Sequence, residues 1–196
     1  MTAAERDPLT PRIQQIIDEV IGIEGDGGGV AQRGDAGGRT RWGVTEAVAR
    51  ADGYEGDMAD LPRDRAVRIF LRNYFYKPGF DQVLLISEPI AAELFETEVN
   101  LPPGNAVKFL QRALNGLNDP KGDGYPLFHD LKVDGSLGPT TLTALHAHLR
   151  MRKGPGETAL LRLQNAQQAV YYLERTENRP KNKRFLFGWV MNRVVL

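Results

Sequence analysis

The stretch that decides the fold is GIEGDGGGVAQRGDAGGRTRWGVT, residues 22–45. Glycine recurs too often in it for a helix, since each interior glycine costs about 1 kcal/mol relative to alanine. Gly27-Gly28-Gly29 and Gly37-Gly38 break any strand as well, so a small hairpin or ordered loop is predicted. On its N-terminal side Thr10 can cap a helix that Pro11 opens, with Ile13, Ile16, Ile17, Val20 and Ile21 on one stripe and an end near Gly22. On its C-terminal side Thr45 caps a short helix that stops near Asp52-Gly53.

The rest of the chain keeps to helical spacing. Pro62 opens a helix with Ala66, Ile69, Phe70, Asn73 and Tyr74, and another follows Ser87-Glu88-Pro89 with Ile90, Leu94 and Phe95 facing inward. Pro102-Pro103-Gly104 marks a lobe boundary, dividing residues 1–101 from 102–196. Beyond it come an amphipathic helix through Ala106, Phe109, Leu110, Ala113, Leu114 and Leu117, and a polar loop from Asn118 to Asp130. Pro139 opens a helix with Leu142, Leu145 and Leu149. A long one after Pro155-Gly156 has Leu160, Leu163, Ala166, Val170 and Leu173 as its apolar stripe. With no internal repeat and no alternation of strand and helix, the predicted fold class is mostly α, with one glycine-rich hairpin or loop.

Composition narrows the function. The chain of 196 residues has 41% hydrophobic and 26% charged residues, enough to bury a core. Its net charge is zero, so no global field favours nucleic acid. The basic run Arg179, Lys181, Lys183, Arg184 reads as a solvated loop, with attraction to an anionic wall polymer as the second reading. There is no cysteine, which removes disulfides and thiolate zinc sites. His146 and His148 do not share a helix face, and Lys121 spoils the calcium-loop pattern of Asp119, Asp123, Gly124 and Asp130, so no metal is expected. No apolar run is long enough to span a membrane, and Met1–Arg12 does not read as a signal peptide.

The chemistry concentrates at Glu24, just past an apolar helix and beside glycines that leave room for a bulky substrate. A partly buried carboxyl at a helix C-terminus has a raised pKa, as a glycosidase general acid requires. Asp35 and Thr40 follow in the same stretch, and a second carboxylate with a hydroxyl can hold a water on the opposite face of a sugar. Asp26 competes with Asp35 for that role. Trp42 is the expected sugar-stacking residue. Asp134-Gly135 and Gly138-Pro139 read as turn chemistry ahead of a helix.

Glu24-Gly25, then Asp35-Ala36-Gly37-Gly38-Arg39-Thr40-Arg41-Trp42-Gly43-Val44-Thr45, resembles the signature of glycoside hydrolase family 108, the secretion-activator-like lysozymes. Ala49-Arg50-Ala51-Asp52-Gly53-Tyr54 and Asn73-Tyr74-Phe75-Tyr76-Lys77-Pro78 continue the likeness. Val99-Asn100, Phe109-Leu110-Gln111-Arg112-Ala113-Leu114, Val133-Asp134-Gly135-Ser136-Leu137-Gly138-Pro139-Thr140-Thr141-Leu142 and Phe187-Gly188-Trp189 with Asn192-Arg193 resemble the peptidoglycan-binding lobe that follows the family's catalytic lobe. Two departures stand out. Asp26 replaces the family's second glycine, and the spacer carries Gln32-Arg33 in place of Asn-Asp.

The resemblance implies a lysozyme-like fold, with Glu24 as the catalytic acid and Asp35 and Thr40 completing the set around the scissile bond. Asp26, Trp42, Tyr74 and Asn100 are the expected substrate contacts. It implies an N-acetylmuramidase of the phage endolysin type, acting on bacterial peptidoglycan without a cofactor. A lytic transglycosylase and a non-catalytic wall-binding protein are the alternatives. The expected protein is a monomer without stable membrane insertion. It waits in a bacterial host cytoplasm until a separate pore-forming holin admits it to the wall.

Overall fold

Thr10 and Pro11 start the first helix as the sequence predicts. The Thr10 hydroxyl accepts from the Ile13 N–H at 3.4 Å, and α1 runs Pro11–Gly22. Ile13, Ile16 and Ile17 are fully buried on its inner stripe, each worth about 1.5–3 kcal/mol relative to exposure. The computed structural model describes residues 10–22, 31–32, 39–119 and 126–194. The glycine runs 25–29 and 34–38 fall outside those residues.

Three short strands lie within the deciding stretch: β1 (Ala31–Gln32), β2 (Arg39–Arg41) and β3 (Val44–Thr45). They form one antiparallel sheet in the order β1-β2-β3, with Thr40 opposite both Ala31 and Thr45. The β2–β3 turn is the two residues Trp42 and Gly43, both at positive φ (52° and 74°), the pairing whose twist suits a tight hairpin. Thr45 ends the sheet and caps α2 (Glu46–Ala51), accepting from the Val48 N–H, and Gly53 takes the left-handed conformation just past it. Pro62 precedes α3 (Arg63–Phe70), which continues as a π-helical turn over Leu71–Tyr76, where the Lys77 N–H donates to the Arg72 carbonyl. Ile13, Ile16, Ile17, Val44, Ala49, Met58, Leu61, Ala66, Ile69, Phe70, Leu71 and Phe75 are the buried apolar side chains among the described residues of this first unit, Met1–Lys77.

The second unit, Pro78–Leu196, begins with α4 (Phe80–Leu84) and α5 (Glu88–Asn100). Ser87 caps α5 by accepting from the Ile90 N–H at 3.2 Å, and its own hydroxyl donates to Glu157 at 2.7 Å. Helix α5 packs on α6 (Asn105–Gly116) and α7 (Pro139–Asn178), burying Ile90, Leu94 and Phe95. The turn motif around Asp134 docks on α6 through Gln111, whose carboxamide oxygen accepts from the Asp134 and Gly135 N–H groups at 3.1 and 3.0 Å. Its nitrogen donates to the Asp134 carboxylate, the Ser136 carbonyl and the Thr141 hydroxyl. Gly104 and Gly135 both sit at positive φ, and a Cβ on Gly135 would fall 2.8 Å from the Gly104 carbonyl oxygen. The two turns therefore meet backbone to backbone.

Helix α7 breaks at Lys153, which adopts φ 53°, ψ −141° just before Gly154-Pro155. Proline offers no N–H and its ring excludes the carbonyl four residues back, so a second helix must start there. Across the break, the His148 ring nitrogen Nε2 lies 3.1 Å from the Gly156 carbonyl, where its N–H donates. The C-terminal half of α7 departs from the predicted stripe. Leu160 is buried, yet Leu163, Ala166, Val170 and Leu173 face solvent, while Gln164, Asn165, Gln168, Tyr172 and Thr176 are buried. The polar side chains tolerate burial because they bond locally. Gln164 donates to the Leu160 carbonyl, Asn165 to that of Leu161, and Gln168 to the Tyr172 hydroxyl.

The chain closes with a 3₁₀ turn over Pro180–Asn182 and α8 (Lys183–Arg193). Leu186, Trp189 and Val194 pack with Tyr171 on the cluster of Leu101, Phe109 and Tyr172. The basic run is thus the entry to a helix and not a free loop. No helix among the described residues is long and apolar enough to cross a membrane.

Candidate active site

Of the expected catalytic residues, Glu24, Asp35 and the alternative Asp26 lie outside the described residues, and Thr40 lies within them. In the sequence Glu24 follows the last residue of α1 by two positions. Thr40 is central in β2, only 2% exposed, and its hydroxyl has no hydrogen-bond partner among the described residues.

The hairpin that carries Thr40 is anchored at both ends. Arg39 grips Asp57 with both terminal nitrogens, at 3.1 and 2.7 Å. This guanidinium, with the Ala59 N–H, holds the Asp57 carboxyl below the usual carboxylate range. Asp57 also caps the turn Met58–Asp60 through that N–H. At the other end, the Trp42 indole N–H donates to the Leu61 carbonyl at 2.9 Å, and the Arg41 guanidinium lies 5.3 Å from the indole ring centroid. A second layer ties α2 to α3. Arg65 donates to the Asp52 carboxylate at 3.0 Å and to its carbonyl at 2.8 Å, and Arg72 pairs with the other oxygen of that carboxylate.

The expected substrate contacts are placed differently from one another. Trp42 sits at the hairpin turn with its N–H already engaged, so only its ring is left for stacking. Tyr74 lies in the π-helical turn, half-buried, its ring 5.5 Å from that of Phe70. Asn100 belongs to the second unit. Its amide nitrogen donates to the Glu96 carbonyl at 2.9 Å, and its oxygen accepts from Arg193. Both ends of the Asn100 amide are occupied within that unit.

Sequence reasoning passed over Arg39 and Asp57, the pair that fixes the Thr40 strand, and Gln111, which fixes the Asp134 turn. Asp57 carried a usable signal, since an aspartate two residues before the N–H it accepts is a common turn cap. Gln111 carried none by itself, because its partners lie more than twenty positions away.

This fold is similar to the solved structure of SagA of Brucella abortus. That solved structure aligns with a TM-score of 0.57 over 91% of this chain and 87% of its own, at 20% identity. The family model described as Glycosyl hydrolase 108 matches residues 17–101, and that described as Predicted Peptidoglycan domain matches residues 105–194. No curated protein matches the chain significantly. Fold and matches together define a glycoside hydrolase joined to a peptidoglycan domain. Residues 17–101 thus carry the glycosyl hydrolase 108 segment, and residues 105–194 the peptidoglycan one.

Proposed function

We propose that this protein is an N-acetylmuramidase that hydrolyses the β-1,4 bond between N-acetylmuramic acid and N-acetylglucosamine of bacterial peptidoglycan. The observation that carries the reading is the joining, in one chain, of a glycosyl hydrolase 108 segment to a peptidoglycan domain. A hydrolase fused to a wall-directed unit is best explained by wall glycan as its substrate.

In this reading Glu24 protonates the glycosidic oxygen as the bond breaks, and Asp35 orients the water that attacks the developing oxocarbenium centre from the opposite face. The buried Thr40 hydroxyl, without a partner among the described residues, supports a place for it as a hydrogen-bonding partner of that water or of the substrate. Asp26 and the Trp42 and Tyr74 rings line the approach. Asn100 acts by tethering Arg193 and so stands apart from the sugar contacts. Biologically the protein acts as an endolysin, held in the host cytoplasm until a holin opens the way to the wall.

The test is Glu24→Gln, assayed by clearance of purified peptidoglycan and by mass spectrometry of the released muropeptides. Positioned acid catalysis contributes about 10²–10⁴-fold, so the variant is expected to lose at least about 10²-fold in rate with an unchanged melt. The wild type is expected to release fragments with new reducing ends at muramic acid. Near-normal clearance by the variant would remove Glu24 from the mechanism, and products dominated by 1,6-anhydro ends would make the enzyme a lytic transglycosylase.

A further inference from the structure

The chain is neutral overall, but its end is not. After Asn178 it carries Arg179, Lys181, Lys183, Arg184 and Arg193, and no aspartate or glutamate follows through Leu196. The nearest acids, Glu174 and Glu177, are exposed on α7. Arg193 turns inward to Asn100. The other four are exposed, and none of them forms an ion pair with another described residue. Arg184 lies over the Phe185 ring, 4.5 Å from its centroid.

Helix α8 is apolar on two faces. One carries Leu186 and Trp189 into the cluster around Tyr172. The other carries Phe187 and Met191, one turn apart and 79% and 64% exposed, with Val190 beside them and Gly188 between. Lys183 and Arg184 stand one turn before Phe187. These two cations also occupy the first turn of a helix that has no side-chain cap. The Lys183 N–H is taken by the Pro180 carbonyl, yet the positive end of the helix dipole still makes the first turn an unfavourable place for lysine and arginine, unless an anion lies nearby.

We propose that this outer face of α8 docks peripherally on a bilayer surface rich in anionic lipid. Phe187 and Met191 enter the boundary between headgroups and acyl chains. Lys183 and Arg184, with Arg179 and Lys181 alongside, lie at the level of the lipid phosphates. An exposed apolar wedge bordered by lysine and arginine suits the headgroup boundary of an anionic bilayer, and charge complementarity names the partner. The Phe187 ring could stack on a sugar face, but a wedge of Phe187 with Met191 is buried more fully among acyl chains than against a hydrated glycan. The inference does not depend on which glycosidic bond the enzyme cleaves.

The experiment is co-sedimentation of the full chain with vesicles of phosphatidylcholine alone, or of phosphatidylcholine and phosphatidylglycerol in equal parts. Binding to the anionic vesicles is expected to be at least about tenfold tighter and to weaken with added salt. Phe187→Ser with Met191→Ser is expected to weaken it roughly tenfold, and Lys183→Glu with Arg184→Glu to abolish it. All four positions are exposed, and a circular dichroism melt verifies that the variants fold. Equal or no binding to the two vesicle types overturns the proposal, as does anionic binding that neither variant changes. Loss of binding to insoluble peptidoglycan in the serine variant, with no vesicle binding by the wild type, would assign the face to the wall polymer instead.

Discussion

Replacing Gln111 by leucine removes one carboxamide from the second unit at nearly constant volume. Gln111 is 2% exposed, and its oxygen is the acceptor for the Asp134 and Gly135 N–H groups. The Asp134 N–H also reaches the Lys132 carbonyl at 3.0 Å, so the Gly135 N–H is the donor left orphaned, at a cost of about 1–3 kcal/mol. The Ser136 carbonyl and the Asp134 carboxylate also lose a donor but can turn to water, so they add little. Leucine recovers part of the deficit as apolar burial, which leaves a net loss of about 1–2 kcal/mol. At roughly 2–4 °C per kcal/mol for a chain of this size, the melting temperature should fall by about 2–8 °C. The chain has two tryptophans, so a Trp42→Phe background leaves Trp189 as the sole fluorescent reporter of the second unit. Gln111→Glu serves as the contrast. It keeps both acceptor contacts but sets a carboxylate against Asp134, so its deficit should grow as the pH rises above the carboxylate range. A Gln111→Leu protein melting within about 1 °C of the parent would refute the view that this amide holds the turn.

Glu98 is buried on α5 and accepts the Gly104 N–H with both oxygens, and burial pushes its pKa up. The native state therefore keeps this proton to higher pH than the unfolded chain does. Its stabilising contribution is full below the ordinary glutamate range and is lost as the pH rises through the raised value. Glu98→Gln should flatten that dependence in melts recorded across the acid-to-neutral range, and a parallel pair of curves would count against it. His148 is buried and its pKa is pushed down by desolvation, so protonation there opposes folding. The stability His148 contributes is present above the ordinary histidine pKa and is lost as the pH falls below it. His148→Gln should remove that acid-side loss, and an unchanged pH profile would show that the ring titrates freely. For the second carboxylate, Asp35→Asn should cut turnover strongly while binding to insoluble peptidoglycan persists, and Asp26→Asn should do less. A dead Asp26→Asn enzyme beside an active Asp35→Asn one would reverse the assignment.

The sequence by itself determined what is local. Thr10, Thr45 and Ser87 cap the helices expected of them, because a short side chain bonding the N–H three residues on needs nothing but its own backbone. The Trp42-Gly43 turn and the break before Pro155 are local in the same sense. The likeness of residues 22–45 to one hydrolase signature was legible too, and Glu24 and Asp35 rest on it. Tertiary structure decided what depends on partners far along the chain. That Thr40 is buried, that Asn100 serves Arg193, and that Gln111 is the hub of a turn more than twenty residues away could not be read from their neighbours. Helix α7 gives the physical reason. Periodicity states which residues share a face, but Leu163, Val170 and Leu173 on one side compete with Gln164, Gln168 and Tyr172 on the other. The core took the second set because helix carbonyls and the Tyr172 hydroxyl satisfy its amide N–H groups, and those bonds exist only once the chain has folded.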